Sequence, residues 1–104
     1  TFDTALMYTG VDRGQVDIIT AYTSDGRIDA YNLKIIADPR NSLLPYDGML
    51  IASASAAKNP LFLEIVGGLV NRISDETMRE ANRIVDVNGG SITDAVNYLR
   101  GMIR

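Results

Sequence analysis

The chain has 104 residues, 46% hydrophobic and 22% charged, proportions that suit one small globular domain and exclude a fibrous or disordered chain. A formal net charge of −3 and a pI near 4.7 supply no basic footprint for DNA, RNA or anionic lipid, so nucleic acid is excluded as a partner. With no cysteine and no histidine, disulfides, thiol and imidazole catalysis and the commonest transition-metal ligands fall away together. No cofactor is expected, and any metal site would need clustered carboxylates.

In chain order, Asp3 is placed to cap a first helix running to Asp12, with Ala5, Leu6 and Tyr8 available to pack and Gly14 ending it. Val16 to Ala21 is an apolar run rich in β-branched residues, which predicts a strand covered on both faces. Thr23, Ser24 and Asp25 offer small side-chain acceptors before a short amphipathic run, Ile28, Ala30 and Tyr31, that stops near Asn32. Leu33 to Ala37 is a second predicted strand, followed by turn chemistry at Asp38, Pro39, Arg40 and Asn41. A β-strand, helix, β-strand order results, and with it an α/β fold class.

Met49 to Ser53 is predicted as a further extended segment, and the small residues Ser53 to Ala57 as a connector or a helix start. Asn59 and Pro60 suit the first turn of a helix whose stripe Leu61, Ile65, Leu69 and Arg72, widened by Phe62, Val66 and Val70, predicts burial. The Gly67-Gly68 pair within it predicts close backbone packing or a kink. Ser74 is an N-cap candidate, with Asp75 and Glu76 on the positive end of the dipole and Met78, Ala81 and Val85 as the buried stripe. Asn88, Gly89 and Gly90 break the chain. Ser91 with Asp94 then opens a last helix whose inward face is Ile92, Ala95, Val96, Leu99, Met102 and Ile103. No run approaches the ~20 apolar residues of a membrane helix, and any export signal or anchor is expected upstream of Thr1.

Several strings fall in a telling order: Val16-Asp17-Ile18, Thr23-Ser24-Asp25-Gly26-Arg27-Ile28, Leu33 to Asp38, Leu43-Leu44-Pro45-Tyr46, Ile73-Ser74-Asp75-Glu76-Thr77-Met78 and Val85-Asp86-Val87. Together they resemble the C-terminal part of the substrate-binding proteins of glycine betaine, choline and carnitine importers of the ABC class. The resemblance implies an α/β module that is part of a type II periplasmic-binding-protein fold. It places Thr1 to about Asn41 at the end of the second lobe, Ser42 to about Ser53 as the crossover strand, and 54–104 in the helical C-terminal part of the first lobe. It also implies an exported, periplasmic or membrane-anchored parent, ABC permease subunits as partners, and a quaternary ammonium solute held between the lobes. The piece alone is expected to bind weakly or not at all, and to pair with another copy or exchange strands through unpaired sheet edges. Departures lie in the extra Thr23, in Leu44-Pro45 for a double proline, and in Asp47, Gly48 and Met49 after the tyrosine.

A quaternary ammonium cannot hydrogen-bond at nitrogen, so its recognition relies on the negative faces of aromatic rings. Of five tyrosines, Tyr46 matches the family's PPY tyrosine and Tyr22 the aromatic before its STDGRI string; each is a ligand-contact candidate or, alternatively, a packed strand residue. Thr23, Ser24 and Asp25 either hydrogen-bond a ligand or serve as plain helix caps, and Asp25 either balances a cation or pairs with Arg27. Tyr8, Tyr31 and Tyr98 read as packing residues, Asp47 as a turn acid or a carboxylate near the cation. Asp75 with Glu76 and Glu80 with Asp86 read as solvated helix acids. No phosphate-cradle or dinucleotide string occurs and no serine has a histidine partner, so catalysis is not expected. A ligand-sensing regulatory domain of the same fold is the alternative reading, and a small enzyme a third.

Overall fold

The computed structural model describes residues 4–103, with side chains from 6 onward. It holds helix α1 (Thr4–Asp12), α2 (Arg27–Ala30), a 3₁₀ turn (Ala56–Lys58), α3 (Pro60–Gly67), α4 (Asp75–Asp86) and α5 (Ile92–Met102). The chain groups into two units, one comprising the residues up to Ile35 with those from Ile73 on, the other Ile36–Arg72.

In the first unit, α1 ends where Gly14 turns left-handed, at φ 67°. Its predicted cap, Asp3, lies outside the described residues. α4 and α5 form a helical hairpin, and α2 packs on α4. Local chemistry explains both starts: the Ser74 hydroxyl accepts from the Thr77 amide at 3.2 Å, and Ser91 with Asp94 closes a reciprocal capping box. Between them the chain reverses through Gly89, at φ 70°, with the Gly90 amide donating back to the Ile84 carbonyl at 2.8 Å. Among the described side chains four apolar ones are buried, Tyr8, Ile28, Ala81 and Ala95, all in this unit. The buried stripes predicted for α4 and α5 therefore shrink to their alanines, while Met78, Ile92, Val96 and Met102 stay open to solvent.

The second unit holds the turn at 38–41, where the Asn41 amide donates to the Asp38 carbonyl and the Asp38 carboxylate accepts from the Leu43 amide at 2.8 Å. That amide, with Ser42 behind it, holds the Asp38 carboxyl below its ordinary range. Asn59 caps α3 through the amides of Leu61 and Phe62, as its position before Pro60 predicts. Two expectations for this helix are corrected. It ends at Gly67 with Gly68 as its cap, so the glycine pair terminates it and does not kink it. None of its residues is buried, because within the unit the 3₁₀ turn is the element it packs on.

The predicted strands, Val16 to Ala21, Leu33 to Ala37 and Met49 to Ser53, form no ladder, and the described residues contain no strand. The regular elements of the described residues are thus helices alone, and the strand half of the α/β expectation is not seen among them. The physical reason is that a strand exists only through cross-strand hydrogen bonds, and an apolar β-branched run keeps its pattern whether or not a neighbour lies beside it. Ile18, Ile36, Met49 and Ile51 are accordingly exposed.

Candidate functional site

The turn that carries four of the five candidate residues sits on α4. Tyr22 to Asp25 closes through the Asp25 amide donating to the Tyr22 carbonyl at 3.0 Å, and Asp25 Oδ1 accepts from the Arg27 amide at 3.0 Å. Three side chains of α4 reach this turn across more than fifty residues of sequence. The Thr23 hydroxyl donates to Asp75 Oδ2. Arg79 Nε donates to the Thr23 carbonyl at 2.7 Å, and Asn82 Nδ2 donates to the Ser24 carbonyl at 2.8 Å. Arg79 also lies 3.7 Å from Asp29 on α2. Gly26 is the close-approach point: a Cβ there would overlap the backbone of Arg83, so only glycine lets α2 lie this near α4.

Behind the turn, Tyr8 is buried with its ring 5.7 Å from that of Tyr31, and the Arg27 guanidinium stands over the Tyr8 face at 5.7 Å. The packing role predicted for Tyr8 and Tyr31 thus holds. Burial, reinforced by the nearby Asp25 carboxylate, pushes the Tyr8 phenol well above its ordinary range, while Arg27 pulls the other way. That hydroxyl has no hydrogen-bond partner among the described residues. Asp25 also pairs with Arg27 at 3.6 Å.

The two tyrosines singled out as ligand contacts are both presented to solvent, Tyr22 at 60% and Tyr46 at 81% exposure. Tyr22 borders a groove of about 340 Å³ with Met7, Thr20, Ala21 and Asp25. A larger groove of about 490 Å³, lined by Leu6, Met7, Gly10, Gln15, Val16, Ile18, Ile19 and Thr20, holds none of the candidate residues. Its apolar lining joins Leu6 and Met7 of α1 to Val16, Ile18 and Ile19 of the segment that follows. Tyr46 stands in the other unit, with Asp47 beside it also exposed. Of the three predicted caps, Asp25 takes the amide of Arg27 that opens the four-residue α2, whereas the Thr23 hydroxyl is turned to Asp75 instead. A helix that short presents too few aligned amides for an anion site.

The sequence reads Asp75 as a solvated helix acid, whereas it receives the Thr23 hydroxyl, and it does not single out Arg79 and Asn82. The signal was available in the spacing of the three, four and then three residues, which sets three polar groups along one face of α4. Glu80, by contrast, is taken up by its own helix: Arg83 grips it through Nε at 2.7 Å and Nη2 at 2.8 Å, which holds its carboxyl low. Among the described residues no three carboxylates gather into a metal cluster, and no helix is long and apolar enough to cross a membrane.

The family described as the substrate binding domain of ABC-type glycine betaine transport system matches residues 1–99. The carnitine transport binding protein OpuCC of Listeria monocytogenes is 34% identical over 82 residues, which cover 78% of this chain and 27% of that protein. The ergothioneine transport permease/ergothioneine binding protein EgtU of Helicobacter pylori is 29% identical over 86 residues, 82% of this chain and 16% of its own length. A glycine-betaine-binding protein of Pseudomonas aeruginosa is 27% identical over 86 residues, again 82% of this chain, and 28% of its own length. The chain therefore spans between 16% and 28% of the curated relatives it matches. With all but its last five residues inside the family's match, the chain belongs to the substrate-binding domains of ABC-type glycine betaine transport systems.

Proposed function

We propose that this chain is the C-terminal part of a two-lobed, exported solute receptor that captures a quaternary ammonium compound and delivers it to an ABC permease. Glycine betaine, carnitine and choline are the first candidates, and ergothioneine, the solute in the name of one relative, carries the same trimethylammonium group. The observation that carries the reading is the family match across residues 1–99, within which the chain keeps two exposed tyrosines, Tyr22 and Tyr46. Their rings are the ligand contacts, each worth about 0.5–2 kcal/mol toward a methylated cation. Thr23, Ser24 and Asp25 form the polar wall beside Tyr22. Residues 42–53 are the crossover between lobes, and ligand capture is the closing of those lobes, driven by tighter binding in the closed state. No reaction is catalysed.

Titration calorimetry of the full-length receptor tests this against glycine betaine, carnitine, choline and ergothioneine. At least one of these gives a saturable heat, and Tyr46→Ala weakens it by tenfold or more. Saturation with none of the four, or an unaltered affinity in Tyr46→Ala, rules the reading out.

A further inference from the structure

We infer that Asp75, Arg79 and Asn82 are positioning residues for the ligand site, a three-point clamp by which α4 fixes the turn bearing Tyr22. The inference rests on the receptor reading above and assigns a task to the Ile73 to Met78 string, for which that reading has no use.

The clamp is built from groups that match in number and kind. Thr23 offers a hydroxyl donor and a carbonyl acceptor; Asp75 takes the first and Arg79 supplies the second. Ser24 offers a carbonyl, which Asn82 fills. Arg79 then reaches past Gly26 to Asp29, 3.7 Å away, so that one side chain holds the polypeptide on both sides of its closest approach to Arg83. Three of the four residues from Thr23 to Gly26 are thereby tied to or pressed on one helix, Thr23 and Ser24 by hydrogen bonds and Gly26 by close approach. Tyr22 is the next residue in the chain, and its carbonyl is joined to the Asp25 amide inside the same turn. A ring that must meet a cation face-on gains little from attraction unless its backbone is held before the ligand arrives. The hydrogen bonds from α4 provide a hold of that kind.

The test uses the full-length receptor. Asn82→Leu and Arg79→Gln remove one clamp donor each; Arg79→Lys restores a cation without the guanidinium fork; Ser91→Ala, at the start of α5, loosens the helical hairpin without touching the turn. Calorimetry against the best-binding trimethylammonium compound is combined with hydrogen exchange at the amides of Asp25 and Ile28, both bonded within the turn. The clamp predicts at least a fivefold loss of affinity and at least tenfold faster exchange at those two amides in Asn82→Leu and Arg79→Gln. Arg79→Lys falls between these and the wild type, and Ser91→Ala stays within twofold in affinity despite a lower unfolding midpoint. Wild-type-like affinity and exchange in Asn82→Leu and Arg79→Gln, with Tyr22→Ala still abolishing binding, overturns the clamp alone. If the wild type binds none of the compounds, the receptor reading and the clamp's purpose fall together.

Discussion

Tyr8 is the largest fully covered side chain among the described residues, and its hydroxyl has no hydrogen-bond partner among them. An unsatisfied buried hydroxyl costs on the order of 1–3 kcal/mol, so deleting it costs little. Tyr8→Phe is expected to leave the unfolding free energy of the receptor unchanged or to raise it by up to about 1 kcal/mol, as a urea titration at neutral pH would measure. The same residue sets an alkaline limit. Its phenol titrates above the unfolded value of about 10, so its contribution is complete below that pH and is lost as pH rises toward the folded value. Stability of the parent should therefore fall above about pH 10 more steeply than that of Tyr8→Phe; parallel curves would count against the buried phenol.

The elements divide into those written locally and those that depend on distant partners. The start of α5 was legible because Ser91 and Asp94 complete their own hydrogen bonds, and the starts of α3 and α4 were legible through Asn59 and Ser74 for the same reason. Left-handed asparagine at 32, with φ 51°, likewise stops α2 where its sequence says it should. The strands at 16–21, 33–37 and 49–53 were not legible as present or absent, since their existence turns on residues elsewhere. The clamp was hidden for a related reason: Asp75 reads as a first-turn acid favoured by the helix dipole, and only the fold reveals Thr23 above it.

The capping box of α5 makes a pH prediction of its own. Hydrogen bonds from the Ser91 hydroxyl and amide hold the Asp94 carboxyl below its ordinary value. Its stabilising effect is thus complete above about pH 3.9, the unfolded value, and disappears as pH falls through the lower folded one. In full-length Asp94→Asn, the acid limb of the helical circular dichroism signal should flatten relative to wild type. An unchanged limb would show that the box contributes nothing to acid stability.

At the scale of the whole chain, burial among the described residues is confined to a few side chains of one unit, whereas Leu43, Leu44, Tyr46, Met49, Leu50 and Ile51 of the other are all exposed. Apolar exposure on that scale belongs to surfaces that expect cover. The 104-residue piece expressed alone should therefore self-associate and bind the solute at least a hundredfold more weakly than the full receptor, as light scattering and calorimetry would show. A monodisperse monomer with micromolar affinity would contradict both expectations. What the sequence carried at this scale was family membership, through ordered strings from Val16 to Val87. What it withheld was how little 104 residues cover of their own apolar surface.

Gly26 has a bearing on any attempt to retarget the proposed receptor. Because even a methyl group at that position strikes the main chain of Arg83, a randomised library across 22–27 would return mostly damaged clones wherever codon 26 is varied. Diversity is better spent on 22, 23 and 24, with glycine left alone and the facing residues of α4 mutated in concert.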